Sequence, residues 1–382
     1  MTTVKMVKLG TLIKPAKLQK CGNDDYPVLS MTMHNGLVFQ SDKFKKSVAS
    51  QDKSTYKVVH RNQLVIGFPI DEGVLATQRI TDAGIVSPAY GIWDVDQTKI
   101  IPEFLEYALR CNRAIDYYKA KLRGSTARRR SLPTPTLLEL DVPLPDIEQQ
   151  RLALTTIRHA KNALDSRQAQ LTKLDELIKA RFVEMFGDPV TNPFNWPTVE
   201  LGQRCEIITG NTPSRAEPEN YGTFIEWIKS DNINTPSTFL TPAQEYLSEV
   251  GFQKCRFVES GSLLMTCIAG SLNCIGNVAV TNRRVAFNQQ INAITPTCDN
   301  VLYLYWLMIL SKPAIHKTIN MALKGILSKS QLSSIKFPFP SIECQNQFAA
   351  FVAEVDKSKV EVQKALDQTQ LLFDSLMQQY FG

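Results

Sequence analysis

An internal repeat divides the 382-residue chain into two similar halves. Residues 132–150, LPTPTLLELDVPLPDIEQQ, align without a gap to residues 327–345, LSKSQLSSIKFPFPSIECQ. Self-similarity of this kind predicts a structural unit that occurs twice. The aligned pairs include Leu137 with Leu332, Pro143 with Pro338, Pro145 with Pro340, Glu148 with Glu343 and Gln150 with Gln345.

Two shorter matches extend the repeat beyond this segment. MFG at 185–187 matches YFG at 380–382, and VKLG at 7–10 resembles VELG at 199–202. Each half is therefore predicted to be a globular region that is followed by a long helical segment. The predicted bounds are 1–145 for the first globular region, 146–187 for the first long helix, 188–340 for a linker with the second globular region, and 341–382 for the second long helix.

Local signals predict that both long segments are helices. Asp146 and Ser341 each follow a proline and are good N-cap residues. Glu148 and Glu343 fall in the first turn, where the helix dipole favours a negative charge. At about 40 residues and a rise of ~1.5 Å per residue, each helix would be ~60 Å long.

Apolar residues recur in both helices at heptad spacing, which predicts a coiled coil in which each helix packs on a helical partner. The alternative is an ordinary amphipathic helix that packs on its own domain. A helix of ~60 Å is too long for one small domain to cover. In the first helix the predicted contact residues are Ile157, Leu164, Leu171 and Ile178. In the second helix they are Val352, Val355, Val362, Leu366 and Phe373.

Composition limits the class of protein. Apolar residues make up 43% and charged residues 21%, which suits a globular core, and the net charge is only +6. The N-terminus has no signal-peptide pattern, and the longest apolar run, residues 301–310, is too short to span a bilayer. We therefore expect a soluble, cytoplasmic protein without a membrane partner. The eight cysteines form no C-x-x-C pair, which favours reduced thiols over a zinc site.

A short motif raises the question of catalysis. TNPF at 191–194 is one proline short of the Asn-Pro-Pro-Phe motif with which amino-methyltransferases hold a flipped adenine. It follows a predicted helix end in a proline-rich connector, so we interpret it as a linker. AGSLNCIG at 269–276 lacks the strand, glycine loop and helix of a dinucleotide site. We therefore predict no catalytic centre and no metal site in this chain.

Basic residues cluster between positions 110 and 130. This segment contains eight positive residues and one acidic residue, Asp116. Arginine and lysine bind phosphates, arginine also binds guanine edges, and hydroxyl groups donate to phosphate. The cluster predicts contact with DNA, although a solvated basic loop would have a similar sequence. The candidate residues here are Lys121, Arg123, Ser125, Thr126, Arg128, Arg129 and Arg130.

The second half offers weaker candidates in predicted polar loops. Arg283 and Arg284 could equally form a plain hairpin tip. The candidate residues of this half are Thr212, Ser214, Arg215, Lys229, Asn232, Arg283, Arg284, Lys324 and Lys329.

Taken in order, these features resemble the specificity subunit of type I restriction-modification systems, over essentially the whole chain. The resemblance rests on two globular regions, each closed by PLPDIEQQ or PFPSIECQ and a long helix. Further matching pieces are SPAYGIW at 87–93, ITGNTPSR at 208–215, WIKSDNI at 227–233, SGSLLM at 260–265 and NQQINAI at 288–294.

The resemblance implies an α+β fold with a pseudo-two-fold internal repeat. Two mixed α/β target-recognition domains would be joined by two long antiparallel coiled-coil helices. Each domain would bind one half of a bipartite, asymmetric site on double-stranded DNA, and the helices would set the spacing. Two modification subunits that carry S-adenosylmethionine would dock on this chain, which itself binds no cofactor and catalyses no reaction, and a translocating endonuclease subunit is a further possible partner. The rival hypotheses are a self-contained DNA methyltransferase or nuclease, and a coiled-coil adaptor without DNA specificity.

Overall fold

The structure, a computed structural model, describes residues 4–33, 36–43, 53–122, 132–319 and 325–382. The chain forms two compact units. Unit 1 comprises Met1–Gln168 and Lys364–Gly382, and unit 2 comprises Ala169–Gln363. Helices and short strands occur in both units, so the predicted α+β class is confirmed.

The described helices include two of 40 residues each. The helices are α1 (Gln40–Lys43), α2 (Pro102–Arg110), α3 (Asn112–Lys121), α4 (Thr134–Leu138), α5 (Ile147–Phe186), α6 (Leu201–Arg204), α7 (Glu249–Gln253), α8 (Val301–His316), α9 (Lys329–Ser334) and α10 (Ile342–Phe381). The long helices α5 and α10 lie inside the segments predicted for them, and each contributes one half to each compact unit. Among the described residues, no helix is both long and apolar enough to cross a membrane.

The strands are short and are bounded by turns. The strands of unit 1 are β1 (Met6–Lys8), β2 (Ile13–Pro15), β3 (Leu29–Thr32), β4 (Gly36–Phe39), β5 (Lys57–His60), β6 (Leu64–Ile66), β7 (Leu75–Thr77), β8 (Ala83–Val86), β9 (Gly91–Val95) and β10 (Asp141–Pro143). Those of unit 2 are β11 (Thr198–Glu200), β12 (Cys205–Thr209), β13 (Tyr221–Ile228), β14 (Tyr246–Leu247), β15 (Phe257–Val258), β16 (Leu263–Thr266), β17 (Ile268–Ala269), β18 (Val278–Val280), β19 (Val285–Phe287), β20 (Ile291–Pro296), β21 (Gly325–Ile326) and β22 (Lys336–Pro338).

Unit 1 contains a four-stranded antiparallel sheet in the order β2-β9-β6-β7 and the antiparallel pairs β1-β10, β3-β4 and β5-β8. Helix α2 packs on β7 and β10, and α3 packs on α2 and on the 3-10 turn at Ile70–Glu72. The apolar period between positions 104 and 122 predicts one helix, but the backbone is extended at Cys111, with ψ 161°, and two helices result. Phe104 and Tyr118 on these helices are fully buried in the core of the unit.

Unit 2 contains two four-stranded sheets, β12-β20-β16-β18 and β14-β13-β19-β15, and the pairs β11-β22 and β17-β21. The first sheet is antiparallel, whereas β13 and β19 of the second run parallel. The apolar run at 301–310 forms most of α8, which is buried and is capped by Asn300, whose side chain accepts a hydrogen bond from Leu302 N. The run is therefore a core helix, as its length predicts.

Both long helices contribute aromatic rings to the cores. In unit 2, Phe182 and Phe186 near the end of α5 pack on Phe348 near the start of α10, with ring centroids 5.3 and 5.6 Å apart. Tyr303 of α8 completes this cluster. Asp175 of α5 pairs with Lys359 of α10. Further along α5, Phe182 contacts Phe348, which lies earlier in α10. The two helix segments of unit 2 are therefore antiparallel.

The repeat produces the same local arrangement in each unit. Strand β1 pairs with β10 just before α5, and β11 pairs with β22 just before α10. Met6 lies opposite Pro143 in the first ladder, and Thr198 lies opposite Pro338 in the second. The matching prolines of the repeat, Pro143 and Pro338, thus end equivalent strands, because proline cannot donate to the ladder.

A buried glutamine in the first turn of each long helix binds three groups of the globular core. Gln150 accepts from Ile101 N at 2.8 Å and donates to the carbonyl oxygens of Lys99 and Pro145 at 3.0 and 2.9 Å. Ile101 is the N-cap residue of α2. A donor at a helix N-terminus has no partner within the helix, so the glutamine satisfies it.

Gln345 makes the corresponding contacts in unit 2. It accepts from Asn300 N, at the N-cap of α8, at 2.8 Å. Its amide group donates to Pro340 O at 3.0 Å and to Asp299 Oδ1 at 2.7 Å. Asp299 also binds the Arg204 guanidinium at 2.6 and 2.8 Å. Both glutamines are fully buried, and we name the pair the glutamine clamps.

We predict that Gln345→Leu lowers the free energy of unfolding by at least about 2 kcal/mol. The change leaves buried donors and acceptors without partners, at roughly 1–3 kcal/mol each. Gln347→Leu, two positions along the same helix and exposed, is the matched control and should change stability by less than about 0.5 kcal/mol. Urea denaturation of the full chain measures both values, and equal stability of the two variants would contradict the clamp.

Candidate nucleic-acid interface

Part of the predicted DNA-binding set lies outside the described residues. This part consists of Arg123, Ser125, Thr126, Arg128, Arg129, Arg130 and Lys324. Two further candidates are exposed at helix ends, Lys121 in the last turn of α3 and Lys329 at the start of α9. Both can reach an external anion.

The basic segment of unit 1 is less available to DNA than its charge count indicates. Arg113 donates to Phe381 O at 3.1 Å and to Asp141 O at 2.5 Å, so it ties the end of α10 to strand β10. Arg110 pairs with Glu106 at 3.4 Å and donates to Met33 O. These two residues, which counted toward the basic cluster but were not among its DNA-binding candidates, are therefore bound to internal acceptors.

In unit 2, two of the predicted residues form one cluster. Arg215 donates to Glu245 Oε2 at 2.7 Å, and Lys229 donates to Glu245 Oε1. The Arg215 guanidinium carbon lies 5.4 Å and the Lys229 ammonium 5.2 Å from the ring centroid of Trp227. Arg215 also lies 4.7 Å from the ring centroid of Tyr221. We name these five residues the Trp227 cluster.

Hydrogen bonds hold the aromatic base of the Trp227 cluster in place. Trp227 Nε1 donates to Asn211 O at 3.4 Å, and the Tyr221 hydroxyl donates to Pro213 O at 2.9 Å. The loop that carries Arg215 is therefore attached to strand β13. The pKa of the Glu245 carboxyl is held below its usual value, mainly by the hydrogen bond from the Lys229 ammonium and also by the Arg215 guanidinium. Glu245 is therefore ionised at neutral pH.

Asn232 positions Lys229 rather than reaching outward. Its side-chain oxygen accepts from Lys229 N at 3.1 Å, and its amide nitrogen donates to Pro242 O at 2.9 Å. Its residue exposure is 8%. The hypothesis that Asn232 contacts bases is therefore replaced by a structural role, because both ends of the carboxamide bind the backbone.

Thr212 and Ser214 are exposed in the loop before Arg215. The Thr212 hydroxyl donates to Gln289 Oε1, and Ser214 Oγ accepts from Ala216 N at 3.3 Å. Both hydroxyl groups lie on the same loop as the Trp227 cluster and remain DNA-binding candidates.

Arg283 and Arg284 are adjacent in sequence but differ in environment. Arg283 donates to both carboxylate oxygens of Glu226 and to the carbonyl oxygens of Leu240 and Thr241. Arg284 pairs with Glu259, and both of these side chains are more than half exposed. Arg283 is thus a structural residue and not a free phosphate ligand, whereas Arg284 lies at the surface over the ring of Phe257.

The predicted contact residues of the long helices differ in burial. Ile157, Ile178, Val352 and Val355 are buried. The others are half-buried, namely Leu164, Leu171, Val362, Leu366 and Phe373. Heptad counting missed Phe182 and Phe186, which are four residues apart and fully buried. A seven-residue step from Ile178 falls on Met185, which is only half-buried, and not on either ring.

The TNPF motif forms part of a turn. Asn192 Nδ2 donates to Trp196 O at 2.9 Å, and Asn192 Oδ1 accepts from Trp196 N at 3.0 Å. Trp196 in turn donates to Phe186 O at 3.1 Å. The connector is therefore a compact turn, with positive φ at Asn192 and Asn195, rather than the extended path that its prolines predict. The carboxamide that would hold an adenine is already bound to this backbone.

Sequence reasoning missed Glu245, the acid that joins Arg215 to Lys229. No local signal could have identified it, since it lies 16 residues from Lys229 and 30 from Arg215. Trp227 was visible in WIKSDNI, but its position beneath two cations was not. Within the described ranges, no group of three or more histidine, cysteine or acidic residues could hold a metal ion.

Comparisons with known proteins define the class. Residues 193–369 match the family described as the type I restriction modification DNA specificity domain. The chain is 28% identical over 187 residues to the HindI specificity subunit of Haemophilus influenzae, which covers 46% of this chain and 39% of that protein. It is 21% identical over 406 residues to the EcoBI specificity subunit of Escherichia coli, with 91% and 82% covered.

The fold is also similar to a solved chain from a study of complex assembly and conformational transition of the type I restriction-modification system. The TM-score is 0.59 at 16% identity, with 99% of this chain and 97% of that chain covered. Residues 193–369 thus match a DNA specificity domain of the type I family, and the resemblance stated from the sequence is confirmed. The match spans about two fifths of the HindI subunit and of the MjaIX subunit of Methanocaldococcus jannaschii, at 39% and 38%.

We predict that Arg283→Ala destabilises the chain by about 3 kcal/mol, because it leaves the Glu226 carboxylate, whose side chain is 13% exposed, without its cation. Arg284→Ala removes an exposed pair and should cost less than about 1 kcal/mol. Urea denaturation of both variants measures the difference. A larger loss for Arg284→Ala would show that the two roles are assigned the wrong way round.

We predict that Phe182→Ala lowers the free energy of unfolding by about 3–5 kcal/mol, since it opens a cavity among Phe186, Tyr303 and Phe348. Leu177→Ala, on the same helix but 47% exposed, serves as the control and should cost less than about 1 kcal/mol. If denaturation midpoints and slopes give similar losses for both, the aromatic cluster does not anchor α5.

Proposed function

We propose that this chain is the non-catalytic specificity subunit of a type I restriction-modification complex. Each globular region would recognise one half of a bipartite, asymmetric site on double-stranded DNA. The specificity domain at 193–369 supports this assignment for the second half. The internal repeat, with an equivalent strand ladder and glutamine clamp in unit 1, extends it to the first half.

The repeated frame is the single observation that carries the proposal. Strand ladder, clamp and long helix occur in both units, whereas the loops that lie outside this frame differ. Unit 2 has the Trp227 cluster, in which Arg215 of the loop before β13 lies over Trp227 of that strand, and unit 1 has the basic residues around α3. A common frame with different loops is the arrangement expected of two domains that read different half-sites.

We further propose that α5 and α10 form the antiparallel coiled coil that sets the spacing between half-sites. The antiparallel segments of unit 2 and the shared core at Ile157 and Phe381 in unit 1 support it. The internal repeat would then be pseudo-two-fold.

The long helices also carry exposed apolar side chains that a protein partner could cover. In unit 1 these are Leu152, Leu371 and Leu372, and in unit 2 they are Leu177, Val183 and Val360. We propose that two modification subunits dock on this helical frame. They would carry S-adenosylmethionine and the methyl transfer, and a translocating endonuclease subunit would join the complex where restriction occurs.

A self-contained methyltransferase is the weaker alternative. The Asn192 carboxamide of TNPF binds Trp196 through both its oxygen and its nitrogen, so an adenine would have to displace these two hydrogen bonds. A coiled-coil adaptor without DNA specificity does not explain the family match at 193–369.

We predict that the purified chain alone transfers no methyl group from labelled S-adenosylmethionine to DNA and cuts no DNA. Adding the modification subunits should produce methylation confined to one split sequence, because the chemistry belongs to those subunits and the site choice to this chain. Modification subunits alone are the control. Methyl transfer by the isolated chain, or unchanged site choice when it is omitted, would contradict the proposal.

A further inference from the structure

We propose that Glu245 is an internal competitor of DNA for Arg215 and Lys229, so that DNA binding at this loop requires a phosphate to displace its carboxylate. The inference rests on the proposed function and deepens it, since it names a residue that sets DNA affinity in the second recognition domain.

The geometry gives the two cations one shared anion. Each oxygen of the Glu245 carboxylate accepts from a different cation, Oε2 from Arg215 and Oε1 from Lys229. A phosphate group presents oxygens to arginine and lysine in a similar way. Glu245 therefore occupies the position that a DNA phosphate would take.

The cluster is accessible enough for exchange. The side chains of Arg215, Lys229 and Glu245 are 59%, 32% and 35% exposed. An exposed or half-exposed ion pair contributes little stability, typically about 0–1 kcal/mol. A strand of DNA, with its high density of phosphates, can therefore compete with one carboxylate.

The aromatic base would keep both cations oriented after Glu245 leaves. Trp227 is buried, and both cations lie over its ring at 5.2–5.4 Å. Asn232 fixes the backbone of Lys229. The exchange leaves the charge of the three side chains unchanged and only replaces the carboxylate with a phosphate as the anion that both cations bind.

The ion pair of Arg283 and Glu226 differs from the pairs of Glu245, because it is held by further hydrogen bonds to the backbone. Arg283 also donates to two backbone carbonyl oxygens, and Glu226 accepts from Ala243 N at 2.8 Å. The side chain of Glu226 is only 13% exposed. That pair is part of the fold, whereas the contacts of Glu245 described above join only side chains at the surface of one loop and one strand end.

The test compares Glu245→Gln with Glu206→Gln in the full chain assembled with modification subunits. Glutamine keeps the shape of glutamate and removes its charge, and Glu206 is an exposed glutamate on strand β12 of the same unit. Binding of random-sequence duplex DNA is titrated at several salt concentrations. We expect Glu245→Gln to raise affinity on the order of tenfold, from two released ion pairs, and Glu206→Gln to change it by less than about threefold.

A second background separates competition from plain repulsion. With Arg215→Ala and Lys229→Ala together, the log-log salt slope should become shallower by up to about 0.9 per lost contact. Glu245→Gln should then give no further rise in affinity. A rise that persists without the two cations would mean that Glu245 merely repels DNA, and it would overturn the inference.

The remaining outcomes are also decisive. If the parent complex binds its site but Glu245→Gln leaves affinity unchanged, the inference fails and the proposed function stands. If the parent complex shows no sequence preference at all, the proposed function fails. Should Glu245→Gln unfold, as read by thermal denaturation, the Arg215 and Lys229 double variant decides alone: an unchanged salt slope would overturn the inference.

Discussion

The fold depends on the buried glutamine in the first turn of each long helix. Gln150 and Gln345 each bind the N-cap backbone of a core helix and the carbonyl oxygen of the proline before the long helix. A carboxamide suits this position because it donates and accepts at once and carries no charge to bury. The direction in which each long helix leaves its globular region is thereby fixed. Any spacing that these helices set between DNA half-sites would rest on these two side chains.

Some cations of this chain bind oxygens within the fold, whereas others lie at the surface. The net charge does not show which cations belong to each group. Arg113, Arg204 and Arg283 bind carbonyl or carboxylate oxygens inside a unit. Arg215 and Lys229 lie at the surface over an aromatic ring and share one carboxylate. The chain has a net charge of only +6, so DNA affinity at the recognition loops would depend on which cations remain free of internal anions. A single acid such as Glu245 then has more influence than its one charge suggests.

Sequence reasoning succeeded where the signal is local or periodic. The long helices end within one residue of their predicted limits, because N-cap residues, prolines and apolar spacing all lie within the segment itself. It failed where partners are distant in sequence. The pairings of Arg283 with Glu226, 57 residues away, and of Arg215 with Glu245, 30 residues away, are contacts that only the fold creates. The clamps were visible only as an aligned pair of glutamines, without their partners.

In the function proposed above, two separate halves of the chain each read part of one DNA site. Exchanging residues 1–145 for the corresponding region of a known specificity subunit leaves the second clamp and the Trp227 cluster unchanged. Base-resolution mapping of methylation, in a host that carries the hybrid with its modification subunits, tests this division directly. We predict a split site in which one half is new, while the other half and the spacing are retained. A site with both halves altered, or a single uninterrupted site, would contradict it.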